Sequence, residues 1–455
     1  MCLGSITTRL VAAAGEEIDD EEEEEGDCWS DSVTGADNCI YGIPASARRV
    51  VKFNPVDNSM TEIGPDLGEG ECKWICGVVA GNGSGSIYCM PYSPSSTNSI
   101  LKIDTINGNV TLLDVEFPET GDWSSGALAI DNCIYFMPSD ACRILKLDPD
   151  NDTVSSVGSD LPGEIHGKYS GTVAGNDNCL YGIPYNSNRI VRFDPISQAI
   201  SFVGGREMED HFMCGTGALG RGGYIYAESN QFPAAILKID VVKNTYSFTR
   251  ITVPYEDYEF GWAGAILGCD WCIYFPPHDA NQVLKFDTDT NVTSLVGDDF
   301  GDEEGKWNSG AAAVLSGVIY CMPHSGASQV LAIHVDPFRE FKMTLQANTE
   351  HHPEDLGLGS LFKKNEHGKT AYECGVVNFG KERVFRAIED CIPLNAECEG
   401  SINLPPFIVA ASYENSAVAV VYFLLRRNLE AFSAICFKDE NKSQTNNNRK
   451  RKMVD

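Results

Sequence analysis

The stretch DNCIYGIPASARRVVKFNP, residues 37–55, alternates apolar and polar side chains as a β-strand does, and its first half recurs along the chain. The segment NCIYGIP (38–44) returns as GSIYCMP (85–91), NCIYFMP (132–138), NCLYGIP (178–184), GYIYAES (223–229), WCIYFPP (271–277) and GVIYCMP (317–323). The tyrosines that anchor the seven copies are Tyr41, Tyr88, Tyr135, Tyr181, Tyr226, Tyr274 and Tyr320, spaced 45 to 48 residues apart. Repetition at this period is typical of solenoids and propellers.

Each copy has the same order of short segments. An aromatic residue and a run of small residues, as in SGALAI (125–130), precede the segment with the tyrosine, and segments such as RILKLDP (143–149) and TVSSVG (153–158) follow it. Four strands of period 2 separated by turn residues predict one antiparallel sheet per copy, which excludes a helical solenoid. Residues 29–346 therefore resemble a seven-bladed β-propeller of the kelch or galactose-oxidase-like kind. The resemblance implies a mainly β fold with four-stranded antiparallel blades around a central channel.

The segments outside the repeats differ in composition. Residues 1–28 contain the acidic run GEEIDDEEEEEGD (15–27), and we expect this segment to be disordered because like charges repel one another. Residues 354–438 have apolar positions at helical spacing and resemble a small ankyrin-like helical appendage. Residues 439–455 form a polar tail that we also expect to be disordered. Its basic cluster, which is either a solvated tail or a nuclear import signal, consists of Arg449, Lys450, Arg451 and Lys452.

The charge of the chain limits its partners. Its 455 residues include 65 acidic and 34 basic ones, for a net charge of -31. This balance opposes a nucleic-acid partner, because binding to nucleic acid depends on neutralising phosphates. The sequence shows no signal-peptide pattern and no apolar run of membrane-spanning length. We therefore expect a cytoplasmic or nuclear protein, monomeric and without a membrane partner.

The 17 cysteines favour reduced thiols that pack in the blades. Cys39, Cys133, Cys179 and Cys272 occupy equivalent positions in different copies, so they cannot gather around one metal ion. Cys269 and Cys272 have C-x-x-C spacing, but no second pair follows at the distance that a structural zinc site needs. We expect neither a metal nor a cofactor.

The connections between the blades provide the candidate binding residues. Nearly all are acidic and end in an aromatic residue, and the propeller topology places them on one rim. Such a rim concentrates cationic partners, and aromatic faces beside it can supply contact area or cation–π contacts. The alternative is that the aromatic residues pack between blades and the carboxylates only solvate the loops. The rim candidates are Glu69, Glu71, Trp74, Glu119, Asp122, Trp123, Glu209, Asp210, Glu256, Asp257, Trp262, Asp302, Glu303, Glu304 and Trp307.

Four further candidates lie in loops, each four residues after a repeat tyrosine: Tyr92, Tyr185, His278 and His324. Two histidines at neighbouring copies could ligate a metal or shuttle protons, although loop histidines without a function are common. No catalytic triad can be assembled, and we assign no catalytic residue.

A basic residue recurs two positions before the acidic end of the third strand, as in Lys146 before Asp148. This regularity favours a structural role, with the basic residue pairing with the nearby aspartate of the same strand.

The sequence favours a non-catalytic scaffold that binds a protein or a basic peptide through the acidic rim. The alternative is an enzyme, such as a metal-assisted hydrolase, lyase or oxidase, that uses the central channel. Fold alone does not decide between them, because propellers serve as enzymes and as adaptors.

Overall fold

The computed structural model describes residues 6–11, 28–70, 72–93, 99–162, 166–205, 207–208, 213–229, 234–253, 261–313 and 317–335, followed by residues 361–364, 369–379 and a few single positions up to 424. The chain divides into two units, Met1–Asp336 and Pro337–Asp455.

The first unit contains seven four-stranded antiparallel sheets, which confirms the predicted seven-bladed propeller. Blades 1 to 6 each take four consecutive strands, whereas blade 7 takes three strands and the first strand of the chain. Blade 1 contains β2 (Trp29–Thr34), β3 (Ile40–Pro44), β4 (Val50–Asn54) and β5 (Ser59–Ile63); blade 2 contains β6 (Trp74–Val79), β7 (Ser86–Pro91), β8 (Ser99–Asp104) and β9 (Asn109–Asp114). Blade 3 contains β10 (Trp123–Leu128), β11 (Ile134–Pro138), β12 (Ile144–Asp148) and β13 (Thr153–Val157); blade 4 contains β14 (Tyr169–Ala174), β15 (Leu180–Pro184), β16 (Val191–Asp194) and β17 (Ala199–Phe202). Blade 5 contains β18 (Cys214–Leu219), β19 (Tyr224–Ser229), β20 (Ala235–Asp240) and β21 (Thr245–Arg250); blade 6 contains β22 (Ile266–Leu267), β23 (Ile273–Phe275), β24 (Val283–Asp287) and β25 (Val292–Val296). Blade 7 contains β26 (Ala311–Ala312), β27 (Val318–Cys321), β28 (Val330–His334) and β1 (Thr7–Val11).

The amino-terminal strand closes the ring. β1 pairs antiparallel with β28, so that Thr7 lies opposite His334 and Val11 lies opposite Val330. The prediction that all of residues 1–28 are disordered is therefore wrong for Thr7–Val11, which form the outer strand of blade 7. Residues 12–27, which contain the whole acidic run, lie outside the described residues.

Blades 7 and 1 are also joined directly by hydrogen bonds. The Asn308 side-chain amide donates to the carbonyl of Ser30 at 3.2 Å, and the Ser309 hydroxyl donates to the Asp31 carboxylate at 2.6 Å. The Met322 backbone amide donates to the Ser32 hydroxyl at 3.0 Å. These contacts, together with β1, complete a closed ring of seven blades.

The core lies between neighbouring sheets, where buried residues of one blade pack on those of the next. The repeat tyrosines are among the most buried side chains of the propeller, and in blade 3 the Tyr135 hydroxyl donates to Asp131 at 2.8 Å. The Lys146 ammonium binds the same carboxylate at 3.0 Å, because Lys146 lies opposite Tyr135 on the neighbouring strand. Partial burial works to raise the pKa of Asp131, but these two hydrogen bonds outweigh it and lower the pKa.

The same triad of tyrosine, aspartate and basic residue occurs in blades 1, 4 and 6. The recurrent basic residues of blades 1, 3, 4 and 6 are therefore structural, as the sequence indicated, but their partner is the aspartate before the second strand. In blade 2, Lys102 pairs instead with Asp152 of the neighbouring blade at 2.8 Å. The aspartate at the end of the third strand, such as Asp104, instead accepts backbone amides in the following turn.

The second unit contains one described helix, α1 (Ala371–Phe379). A capping box begins it, because the Thr370 hydroxyl accepts the amide of Glu373 at 3.1 Å and the Glu373 carboxylate accepts the amide of Thr370 at 2.9 Å. The appendage predicted at residues 354–438 is therefore helical at Ala371–Phe379. Most of residues 354–438 and all of 439–455 lie outside the described residues. No helix within the described part of the chain is long and apolar enough to cross a membrane.

Candidate functional site

The start of each first strand and the end of each second strand meet at one end of the propeller. Their pairing registers include Trp29 with Pro44, Trp74 with Pro91 and Trp123 with Pro138. We call this end the connection rim, because the connections between blades and the loops after the second strands both begin here. First strands line the channel of a propeller, so side chains next to these pairs surround the channel mouth.

The tryptophans of the connection rim are buried and serve packing. The indole nitrogens of Trp74, Trp123, Trp262 and Trp307 donate to backbone carbonyls of their own blades at 2.8 to 3.0 Å. These side chains are 1 to 3% exposed, so they present no ring face to a partner. The position of these tryptophans matches the interpretation that they pack between blades, and it does not match contact with a partner.

Arginines neutralise the carboxylates on several connections. The guanidinium of Arg48 lies 2.5 Å from Asp66 and 3.0 Å from Glu69. Arg143 pairs with Asp160 at 2.6 Å in blade 3, and Arg189 pairs with Glu207 at 2.8 Å in blade 4. All these arginines come from the loop after the second strand. The acidic rim is thus partly neutralised by side chains of the same rim.

Two predicted rim residues of the connection between blades 2 and 3 also have local partners. Glu119 accepts the amide of Arg143 at 3.1 Å and the hydroxyl of Ser156 at 3.0 Å. Asp122 accepts the hydroxyl of Ser93 at 2.9 Å. The candidates Glu71, Glu209, Asp210, Glu256 and Asp257 lie outside the described residues.

The connection between blades 6 and 7 holds more exposed carboxylates than any other connection within the described residues. It carries five exposed carboxylates, none of which forms an ion pair with any residue that the structure describes. We call it the acidic connection; it consists of Asp298, Asp299, Asp302, Glu303 and Glu304. Asn281 stands here at the position of Arg48 in blade 1, and Gln282 stands at the position of Arg143 and Arg189. The side-chain amide of Asn281 donates to Asp302 at 2.9 Å.

Three buried lysines lie directly before the aromatic residue of the first strand: Lys73, Lys168 and Lys306. The ammonium of Lys306 donates to the carbonyls of Asp279 and Gly301 at 3.2 Å each, and also to that of Glu303. Burial lowers the pKa of Lys306, against the effect of the surrounding carboxylates. These lysines are not among the residues predicted from the sequence, although their fixed position before the aromatic residue is visible in it.

In blade 1 a cysteine occupies this position. The Cys28 thiol interacts with the imidazole of His324, which belongs to blade 7, and the amide of Trp29 donates to the carbonyl of Pro323 beside them at 3.2 Å. The ring centroids of His324 and His278 lie 5.9 Å apart, and Nδ1 of His278 lies 2.6 Å from the carboxylate of Asp279. The structure thus brings the two predicted loop histidines together, and it adds Cys28 and Asp279 to them.

The electrostatics of the two histidines differ. The hydrogen bond with Cys28 raises the pKa of His324 above its ordinary value, against the effect of burial. Burial lowers the pKa of His278, and Asp279 offsets this only in part. Near neutral pH, His324 is therefore the imidazole that more readily carries a proton, and His278 is the neutral one.

The two tyrosines predicted at the same loop position are apart from this cluster. Tyr92 is 49% exposed in blade 2, and Tyr185 lies in blade 4, where its amide donates to the carbonyl of Lys168 at 2.9 Å. Among the described residues, no group of three or more His, Cys, Asp or Glu side chains is placed to hold a metal ion.

Blade 5 departs from the other blades at three neighbouring positions. Cys214 stands where the others have an aromatic residue, and Ser229, its cross-strand neighbour, stands where they have proline. Glu228 is 1% exposed, and neither of its carboxylate oxygens has a hydrogen-bond partner among the described residues. A methyl group on Gly215 would lie 1.9 Å from this carboxylate, so the glycine makes room for it. The residues equivalent to Glu228 are Ile43, Met90, Met137, Ile183, Pro276 and Met322.

No protein-family model and no curated protein sequence matches this chain. Among solved structures, the fold is similar to a catalytically inactive histidine-to-alanine variant of virginiamycin B lyase from Staphylococcus aureus with quinupristin, at 13% identity and a TM-score of 0.58, covering 73% of this chain and all of that one. It is also similar to a streptogramin B lyase, at 15% identity and a TM-score of 0.56, covering 73% of this chain and 98% of that one. Hydrazine synthase of Kuenenia stuttgartiensis has 11% identity and a TM-score of 0.53, covering 70% of this chain and 99% of that one. At these identities the likeness establishes the propeller fold and no activity.

Proposed function

We propose that the protein is an interaction scaffold whose acidic connection binds a cationic segment of a protein partner. One observation carries the proposal: arginines neutralise carboxylates at blades 1, 3 and 4, whereas the five carboxylates of the acidic connection have no ion pair among the described residues. Unpaired like charges held on one loop repel each other, and a cationic partner relieves this repulsion. The net charge of -31 supplies a long-range field of the same sign.

Reversing two of these charges tests the proposal. We expect Glu303→Lys/Glu304→Lys to weaken binding of a fluorescein-labelled peptide of alternating lysine and serine by about tenfold, measured by fluorescence anisotropy. Both side chains are exposed, so the variant should fold normally. The affinity of the unmodified protein should fall as salt is raised, because exposed charges are screened.

A matched control changes the net charge by the same amount on the same rim. Asp160→Lys/Glu207→Lys replaces two carboxylates that are already paired with Arg143 and Arg189. We expect this variant to retain most of the affinity. An equal loss in both variants would show that the peptide senses only net charge, and it would contradict a specific role of the acidic connection.

The alternative function, an enzyme that uses the channel mouth, is favoured by a different observation. His278 and His324 come from neighbouring blades, and their rings approach to 5.9 Å beside Asp279 and Cys28. Groups with perturbed pKa values that converge in this way are candidates for acid–base or nucleophilic chemistry.

A further inference from the structure

We infer that Cys28 and His324 form a nucleophilic pair at the channel mouth, in which the Cys28 sulfur attacks an electrophilic carbon of a substrate. The inference deepens the second of the two functions above and is independent of the acidic connection's partner. It rests on the placement of four side chains from three adjoining blades at one place on the connection rim. These are the Cys28 thiol, the imidazoles of His278 and His324, and the Asp279 carboxylate.

The backbone holds Cys28 firmly on the blade 1 side. Its amide donates to the Ser46 hydroxyl at 3.1 Å, and its carbonyl accepts the amides of Ala45 at 3.0 Å and Ala47 at 3.3 Å. The next residue, Trp29, donates its amide to the carbonyl of Pro323 at 3.2 Å. Because Pro323 directly precedes His324, this bond across the ring closure fixes the thiol relative to the imidazole.

The backbone of His324 is held as firmly on the blade 7 side. Its amide donates to the carbonyl of Lys306 at 2.9 Å, and Nδ1 lies 3.1 Å from the Ser325 hydroxyl. The Lys306 amide in turn donates to the carbonyl of His278 at 2.9 Å. The two imidazoles therefore have a fixed spacing that does not depend on a ligand.

The electrostatics of the pair favour the charged forms of both partners, a Cys28 thiolate and a His324 imidazolium. Burial works to raise the pKa of the Cys28 thiol, but the hydrogen bond to His324 and the charge of that imidazole outweigh it and lower the pKa. The other titratable groups around it are His278, Asp279, the Lys306 ammonium and the carboxylates of the acidic connection. The thiolate is the nucleophilic form of cysteine, so a thiolate–imidazolium pair is reactive below the pH at which ordinary thiols react.

Iodoacetamide tests the pair without knowledge of the natural substrate. In the reaction the Cys28 sulfur forms a bond to the methylene carbon, the carbon–iodine bond breaks, iodide leaves with the electron pair and His324 keeps the proton. Alkylation rates of individual cysteines are read by peptide mass spectrometry between pH 5.5 and 9 on the folded full-length protein. Cys142, which is exposed, serves as the internal reference.

We expect Cys28 to keep its reactivity at low pH. We divide the alkylation rate of each cysteine at pH 6 by the rate of the same residue at pH 9. This ratio should be at least about tenfold larger for Cys28 than for Cys142, because the thiolate is the form that reacts and His324 stabilises it at Cys28. His324→Gln should abolish this difference. His166→Gln, at a histidine whose side chain is 92% exposed, should leave it unchanged.

Three results would overturn the inference: a Cys28 that is not alkylated in the folded protein, a Cys28 profile that follows that of Cys142, or a low-pH reactivity that survives in His324→Gln. Melting curves of both histidine variants show whether the propeller is intact. These results are separate from the peptide-binding outcome, since neither Glu303 nor Glu304 is altered.

Discussion

Deleting residues 1–13 is expected to lower the melting temperature of the propeller by about 6 °C, because the deletion removes the strand that closes the ring. β1 pairs with β28 along all five of its residues, and Val11 packs in the core between blades 7 and 1. The lost backbone hydrogen bonds and the exposed apolar surface together cost about 4 kcal/mol. The deletion also leaves the edge of β28 unpaired, which favours aggregation.

A shorter deletion is the control for this experiment. Removing residues 1–5 leaves β1 intact and should leave the melting temperature unchanged within about 1 °C, as is usual for changes outside packed structure. A synthetic peptide of residues 6–12, added in excess to the truncated protein, should restore part of the lost stability by mass action. Equal melting temperatures of the full-length and truncated proteins would show that β1 does not close the ring.

Replacing Glu228 with methionine is expected to stabilise the protein by about 2 kcal/mol at pH 8, the usual cost of a buried polar group without a partner. Methionine is the residue at the equivalent position in blades 2, 3 and 7. Burial raises the pKa of Glu228 well above its ordinary value. The folded protein therefore holds this proton more tightly than the unfolded chain does.

The raised pKa of Glu228 determines whether its contribution to stability rises or falls with pH. The contribution of Glu228 to stability should be most favourable below the pKa of an unfolded glutamate, about 4.3, and it should be lost as the pH rises toward the higher pKa of the folded state. Glu228→Met should therefore increase the free energy of unfolding more at pH 8 than at pH 4. Urea unfolding at both pH values measures this difference.

The Glu228→Gln variant distinguishes the effect of ionisation on stability from the effect of side-chain shape. It keeps the size and the unpaired polar atoms but cannot ionise, so its stability relative to that of the wild type should rise from pH 4 to pH 8. A loss of stability in Glu228→Met at both pH values would contradict the prediction and would mean that the carboxylate has a stabilising partner in the protein as it exists in solution.

The partner that the sequence predicted for the recurrent basic residue of blade 3 was wrong. The sequence places Lys146 two residues from Asp148, and proximity along the chain favoured that pair. In the folded blade Lys146 lies opposite Tyr135 across two strands and binds Asp131 instead. Partners across strands depend on register, which a single strand does not reveal.

The candidate site was predictable only in part. His278 and His324 were found because they occupy equivalent positions of adjacent repeats, and adjacent blades must bring such positions near each other. Cys28 precedes the first repeat, and its contact with His324 exists only because the ring closes between blades 7 and 1. The sequence also placed the carboxylates on one rim, but it did not show which of them arginines neutralise.

The sequence by itself determined the number of blades, their strand order and their packing positions, because a repeated period-2 pattern has few ways to bury its apolar face. Only the tertiary structure decided how the ring closes, which side chains from different blades meet at the channel mouth, and that Glu228 is buried without a partner. The physical reason is that these features depend on contacts between residues as far apart in the chain as Cys28 and His324. The opening stretch, residues 37–55, is therefore a structural unit, and the chemistry lies where its copies meet.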